Sequence, residues 1–381
     1  MENNTNSTMN NNSIFMQNVM NAFAGIPTTT PTKRENALTK GLGFHKFDGS
    51  VSVDEVMQQI GADFNVEKQR LVRLTPEMVE AITLGVPVTI PTECLINTHC
   101  ATVNTRDNST LGIVGSDYGV IQNSKGLEIL DLLTNADIAG NNYQIVSAGL
   151  VHDSDPYVQV RLPNEIRVNG DNSKTEFYAS FYTRHDGKGG LKIAMSAIRI
   201  VCQNTFQANF SSKQKMTYRH TKNVEKMLDF DNGDNIQRIQ RIVAAFNVFT
   251  SDHLAALNHL AEQRITERYI NEFCARIFIM DEENRKLAQQ YNYNWDLLNA
   301  NTRTNLTRSI NQITEFRNVL ENGAGQDTNR GSKLWLYNGL TNTFSNADYK
   351  TPEKRFDFLT QGSGYEKSQT ALEYLMAEVA A

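Results

Sequence analysis

Four cysteines in 381 residues are too few to staple a fold. Cys94 and Cys100 lie six apart, and Cys202 and Cys274 have no near partner. Neither a disulfide framework nor a zinc knuckle is expected, and a reducing cytoplasm fits best. Proline is sparse at eight residues and tryptophan at two. No apolar run approaches the ~18 residues of a bilayer span, which excludes a transmembrane helix. Met1 to Ser13 is rich in Asn, Thr and Ser and lacks the basic and apolar regions of a secretory leader. Catalytic signatures are missing too. There is no Walker A sequence, no Gly-x-Ser-x-Gly, no Gly-x-Gly-x-x-Gly and no His-Glu-x-x-His. The seven histidines are scattered along the chain. What remains is a globular composition, 40% hydrophobic and 21% charged, long enough to bury a large core.

Charge is distributed unevenly. Between Arg184 and Lys226 nine Lys or Arg face two acids, Asp186 and Glu225. That local charge of +7 sits in a chain of net charge −5, so everything outside it carries −12. Segregation of this kind marks either a solvated basic face or a surface that meets an anion, and nucleic acid is the longest anion in a cell.

The pattern along the chain predicts an α+β fold in three parts. Residues 1–35 read as a disordered Asn/Thr-rich tail, too poor in apolar side chains to repay ordering. Residues 36–215 read as an α+β body: an antiparallel sheet with a long β-hairpin. Residues 216–381 read as a helical region packed on that body. Val53–Ile60 is a short amphipathic helix ending at Gly61. Strands are expected at Cys100–Thr105, Leu111–Val114, Tyr143–Val151, Tyr157–Leu162 and Phe177–Thr183, with a helix over Lys125–Thr134. Asp186-Gly187-Lys188-Gly189-Gly190 joins the runs Glu176–Arg184 and Leu191–Ile200 as a hairpin. From Val201 onward the period turns helical. Ser251-Asp252 is the expected N-cap separating one helix stripe (Ile236, Ile239, Val243, Phe246) from the next (Leu254, Leu257, Leu260). Lys333–Phe344 and Ser368–Val379 are the expected last helices.

Side chains alternate along the first hairpin strand, so Phe177, Ala179 and Phe181 share a face, and Tyr178, Ser180, Tyr182 and Arg184 share the other. The second face is either a stacking platform for bases beside a basic loop, or a second buried face with its hydroxyls bonded inside. Farther on, Arg219, His220 and Lys222 surround Thr221, an expected helix cap, and helix N-termini attract phosphate. Chance basic residues before a helix would look the same. His152, Asp153, His185 and Asp186 could be pieces of a metal site, but no ligand spacing joins them. Asp281-Glu282-Glu283 reads as a solvated helix end.

In order, Gly41-Leu42-Gly43, Gly112-Ile113-Val114-Gly115, Tyr118-Gly119-Val120-Ile121-Gln122-Asn123, His185-Asp186-Gly187, Arg199-Ile200-Val201-Cys202-Gln203-Asn204-Thr205, Arg219-His220-Thr221 and Leu334-Trp335-Leu336-Tyr337-Asn338 resemble the phage/plasmid-like proteins of unknown function. These are carried by bacteriophages and conjugative plasmids. The likeness spans about Lys40 to Tyr374, and Thr39-Lys40 stands where members have Trp-His. It implies a mobile-element protein in a bacterial cytoplasm and brings no established activity. The order of hairpin then helix is also similar, at a coarse level, to phage-borne annealing proteins that hold single strands in a basic groove.

The function expected is therefore binding and annealing of single-stranded DNA in recombination or replication, without cofactor, metal or catalysis. The protein is expected to form a homo-oligomeric ring or filament and to have no membrane partner. Tyr178 and Tyr182 are the expected stacking residues. Arg184, Lys188, Lys192, Arg199, Lys213, Lys215, Arg219, His220 and Lys222 are the expected phosphate contacts. An interaction protein that inhibits a host defence factor is the alternative. A metal-dependent enzyme using His152, Asp153, His185 and Asp186 ranks third.

Overall fold

The computed structural model describes residues 41–48, 51–134, 143–199, 204–206, 216–222, 224 and 235–377. The tail expected at 1–35, and Lys213 and Lys215, lie outside the described residues. The fold is α+β, with antiparallel sheets in the N-terminal half and helices in the C-terminal half.

The main sheet has the order β1 (His45–Lys46), β5 (Gln144–Val151), β6 (Asp155–Ile166), β7 (Thr175–Tyr182), β8 (Leu191–Arg199) and β10 (Met216–Tyr218). A further strand, β9 (Asn204–Phe206), pairs with the other end of β8. Every pairing is antiparallel. The expected hairpin is the β7–β8 pair, in register from Thr175↔Arg199 to Tyr182↔Lys192. Strands β9 and β10 fall where a purely helical period was expected after Val201. Their backbones complete the ladder of β8, and that pairing overrides local propensity.

A second sheet contains β2 (Val66–Val72), β3 (Leu95–Asn104) and β4 (Thr110–Gly115), with β3 in the middle. Strand β2 was not expected, because its Glu67-Lys68-Gln69-Arg70 run is polar and exposed on both faces. Helices α1 (Val53–Ile60), α2 (Pro76–Thr83) and α3 (Asn123–Thr134) connect these strands. Helix α1 starts at a full capping box, Ser52 with Glu55, and ends at left-handed Gly61.

The C-terminal half holds α4 (Asn235–Glu262), α5 (Glu267–Phe278), α6 (Glu282–Gln290), α7 (Ala300–Asn322), α8 (Lys333–Asn346), α9 (Pro352–Thr360) and α10 (Ser363–Ala377). Helix α4 runs unbroken through Ser251-Asp252, against the expected cap there. Phe246, Phe249, His253, Leu257 and Leu260 are all buried at three- and four-residue spacing across that pair. The buried stripe holds the helix together, and Thr250 Oγ1 bonds back to Phe246 O at 2.9 Å. Asp281 caps α6, its Oδ1 accepting from Asn284 N at 2.8 Å.

Sheet and helices share one core. Phe177, Ala179 and Phe181 of β7 lie in it beside Ile193 and Met195 of β8, Phe246 and Phe249 of α4, and Trp335 and Leu336 of α8. The ring of Phe177 meets Phe249 edge-on at 5.7 Å. Helix α8 is buried on all sides and carries Thr341, Asn342 and Ser345 inside as well as its aromatics.

The opposite face of β7 is also covered. Tyr157, Tyr182 and Phe356 form a smaller apolar cluster, with Leu42 and Phe44 packed on it. Tyr157 OH lies 2.7 Å from Ser180 Oγ, and Gln159 and Ser196 are buried on the same face. Of the two readings of this face, burial with internally bonded hydroxyls is the one present at Tyr182.

Candidate functional site

The eight residues Thr183–Gly190 between β7 and β8 are held from several sides. Thr183 N donates to Pro156 O at 3.2 Å. Thr102 Oγ1, from the middle strand of the small sheet, donates to His185 O at 2.6 Å. Lys188 N donates to Asp186 Oδ1 at 2.9 Å. A Cβ built on Gly112 of β4 would lie 2.4 Å from Asp186 Cα, so the small sheet meets this turn at backbone distance.

Inside the turn lies a buried ionic group. Arg184 pairs with Asp155 (3.3 Å) and Asp186 (2.6 Å), and its side chain is 14% exposed. Tyr182 OH donates to Asp155 Oδ2 at 3.0 Å. Burial raises the Asp155 carboxyl above its ordinary value, and the Arg184 charge opposes that rise.

A second chain of polar contacts leads outward. His185 Nε2 donates to Asn123 Oδ1 at 2.8 Å, and Asn123 Nδ2 donates to Ala62 O at 2.9 Å. Burial, reinforced by neighbouring His220, pushes His185 down to about 3, so it is neutral. The His185 and His220 rings are 5.7 Å apart. His220 Nδ1 donates to Gly119 O at 2.9 Å, and its ring stacks on Tyr118 at 4.5 Å with 12° between planes. Burial lowers the pKa of His220 as well. Tyr118 OH reaches Arg184 O at 3.4 Å.

Outside this buried group is a cleft of about 320 Å³, lined by Lys68, Ser116, Asp117, Tyr118, Gly119 and Lys222 among others. Lys68 Nζ donates to Ser116 O (3.0 Å) and Tyr118 O (2.9 Å), which fixes its ammonium at the edge. A Cβ on Gly119 would lie 2.1 Å from Thr221 O, so only glycine lets these two segments touch. Residues 154 positions apart, Lys68 and Lys222, thereby line one cleft. Arg219 is exposed beside the hairpin turn, where a Cβ on Gly190 would lie 3.1 Å from Arg219 Cα.

The structure thus distributes the expected site residues over distinct settings. Lys188, Arg219 and Lys222 are exposed. Lys192 is half-buried opposite Tyr182. Three residues are turned inward: Tyr182 onto Asp155, Arg184 onto two carboxylates, and His220 behind Tyr118. Tyr178 is half-buried and its hydroxyl donates to Glu176. Arg199 is opposite Thr175, at the end of the hairpin away from the turn. At ~3.3 Å per residue that is roughly 25 Å from the cleft end of the sheet. The inward placement of Tyr182 and Arg184 corrects their expected exposure, and its cause is Asp155 on the neighbouring strand. His152 faces Asp357 at 3.3 Å while His185 faces Asn123, so these two histidines are committed to different partners.

Lys68 and Tyr118 were not anticipated as site residues. The only local signal for Tyr118 is the glycine that follows it. For Lys68 there is none, because its strand does not alternate.

An α+β body with a polar cleft where two sheets meet, and no helix among the described residues long and apolar enough to cross a membrane, defines the general class. The chain belongs to the family described as Domain of unknown function (DUF932), whose model matches residues 110–357. No curated protein and no solved structure matches the chain.

Proposed function

We propose that this protein binds single-stranded DNA at the junction of its two sheets and anneals complementary strands in the service of a phage or plasmid. The observation that carries the reading is the convergence of exposed cations. Lys68 and Lys222 share the cleft, Lys188 lies in the adjoining turn with Arg219 beside it, and the rest of the chain is acidic. Phosphate neutralisation supplies most of the affinity of sequence-tolerant binding, and an acidic remainder disfavours wrapping by duplex. Annealing needs no bond-breaking, so no metal or nucleotide enters the reading. Assembly into a ring or filament in the bacterial cytoplasm would extend the cationic rim across subunits and hold the strand extended.

The test is binding of a fluorescent mixed-sequence oligonucleotide across a salt series, with duplex of equal length alongside. Single strands should bind more tightly, with log K falling by ~0.7 per phosphate contacted for each unit of log salt. The double variant Lys188→Gln/Arg219→Gln should flatten that slope by roughly 1.4. Absence of binding at low salt, or a slope that the variant does not change, would count against the reading.

An interaction protein that blocks a host defence factor is the second reading. Exposed Val79, Ile82, Leu84 and Val86, on and just after α2, favour it. It requires nuclease-resistant, stoichiometric capture of one host protein that Ile82→Asp abolishes and Lys222→Gln does not.

A further inference from the structure

The cleft has features that a merely cationic surface would not require. Its aromatic wall is fixed at two points. The Tyr118 hydroxyl is bonded to Arg184 O, and one ring face lies on His220, itself held by Gly119 O. A ring immobilised before binding gives up little conformational freedom when a flat ligand stacks on it. The volume of about 320 Å³ falls at the small end of ligand pockets. The charge is also specific. An ammonium has three donors, and Lys68 uses two of them on Ser116 O and Tyr118 O. Lys222 adds a second cation and Asp117 one carboxylate, so the charged lining carries a single net positive charge.

Resting on the single-strand reading above, we infer that this cleft is a subsite for one nucleotide of the strand, its base stacked on Tyr118 and its phosphodiester held by Lys68 and Lys222. A phosphodiester carries one negative charge and matches the net charge of the lining. The exposed Lys188 and Arg219 at the adjoining turn are placed to meet flanking phosphates, which only a polymer supplies, so the subsite takes an internal nucleotide in preference to a free mononucleotide. Stacking on Tyr118 is tolerant of base identity, since every base presents a π-face.

Photocrosslinking of the full chain tests this. One arm uses a 12-nucleotide oligothymidylate with a single central 5-iododeoxyuridine, and the other uses 5-iododeoxyuridine 5′-monophosphate alone. The oligomer should crosslink at Tyr118, located by peptide mapping, and the free nucleotide should not. Tyr118→Leu should weaken oligomer binding about 5- to 150-fold, the value of one stacked base. Tyr118→Phe should retain both binding and crosslink. Lys188→Gln/Arg219→Gln should weaken the oligomer and narrow the difference between the two arms.

Salt-dependent oligomer binding with crosslinks elsewhere, and with Tyr118→Leu binding like the wild type, overturns the subsite and leaves the DNA-binding function standing. Crosslinking of the monophosphate but not of the oligomer overturns the polymer assignment. No oligomer binding at all removes both the subsite and the function. Should Tyr118→Leu fail to fold, the wild-type and Tyr118→Phe crosslink maps decide.

Discussion

Replacing Arg184 by Met removes a charge while keeping most of the volume of the side chain. The structure shows what is left behind. Asp155 has a side chain 5% exposed and Asp186 one 17% exposed, and Arg184 is the cation that both contact. Breaking a buried pair from one side leaves an uncompensated charge, at a typical cost of ~3–5 kcal/mol. That is a large share of the ~5–15 kcal/mol by which domains are stable. The loss should depend on pH in a defined direction. Asp155 is held above its ordinary value by burial and brought down by Arg184, so removing the arginine raises it further. A carboxyl whose folded pKa exceeds its unfolded value adds stability fully below the unfolded value, and that contribution is lost as pH rises through the folded one. The deficit of Arg184→Met should therefore be widest at pH 7–8 and narrow on acidification toward pH 5. Urea unfolding of both proteins at pH 8, 6.5 and 5 measures it. A deficit below ~1 kcal/mol at pH 8, or one equal at pH 8 and pH 5, would refute the buried-charge argument. In a folded preparation the salt slope for single-stranded DNA should be unchanged, since the guanidinium is already neutralised within the fold.

Three further outcomes follow from the packing. His253 is wholly buried against Phe177 and Phe249 and pushed down to about 4, so it must charge on unfolding in acid. Its contribution is present above pH ~6.5 and lost as pH falls toward 4, on the order of 3 kcal/mol; His253→Phe should remove that share of the acid loss in urea titrations at pH 7 and pH 4.5. Gly119→Ala would put a methyl 2.1 Å from Thr221 O. The two segments must part, at ~1–3 kcal/mol in thermal unfolding, and oligonucleotide affinity should fall with them. Phe177→Ala, at the centre of the shared core, should cost ~3–5 kcal/mol in denaturant titration without changing the salt slope.

The sequence showed those parts of the fold that are written locally. The amphipathic run Val53–Ile60 and the glycine at 61 mark α1, and the alternation of Phe177, Ala179 and Phe181 gives the core face of β7. It did not show what covers the other face. Phe356 comes from a helix 174 residues beyond Tyr182, and nothing near Tyr182 announces it. Arg184 reads as a free cation because Asp155 lies 29 positions earlier and is brought close only by strand pairing. Ser251-Asp252 has capping chemistry, yet a buried stripe on either side carries the helix through it. The cleft was hidden for the same reason: Lys68 is on an unremarkable polar strand and faces Lys222 only once the small sheet is in place.

The family match begins at residue 110, inside the small sheet, and ends at 357, inside α9. Its first strand is β4, so the matched stretch leaves out β3, which pairs with it, and β2, which pairs with β3, along with Lys68. It also leaves out α10, whose Ala371, Leu372 and Leu375 are in the common core. A fragment trimmed to the matched residues would expose the unpaired side of β4 and open the core beneath α8. The matched stretch is smaller than the unit of folding, and expression trials should follow the latter.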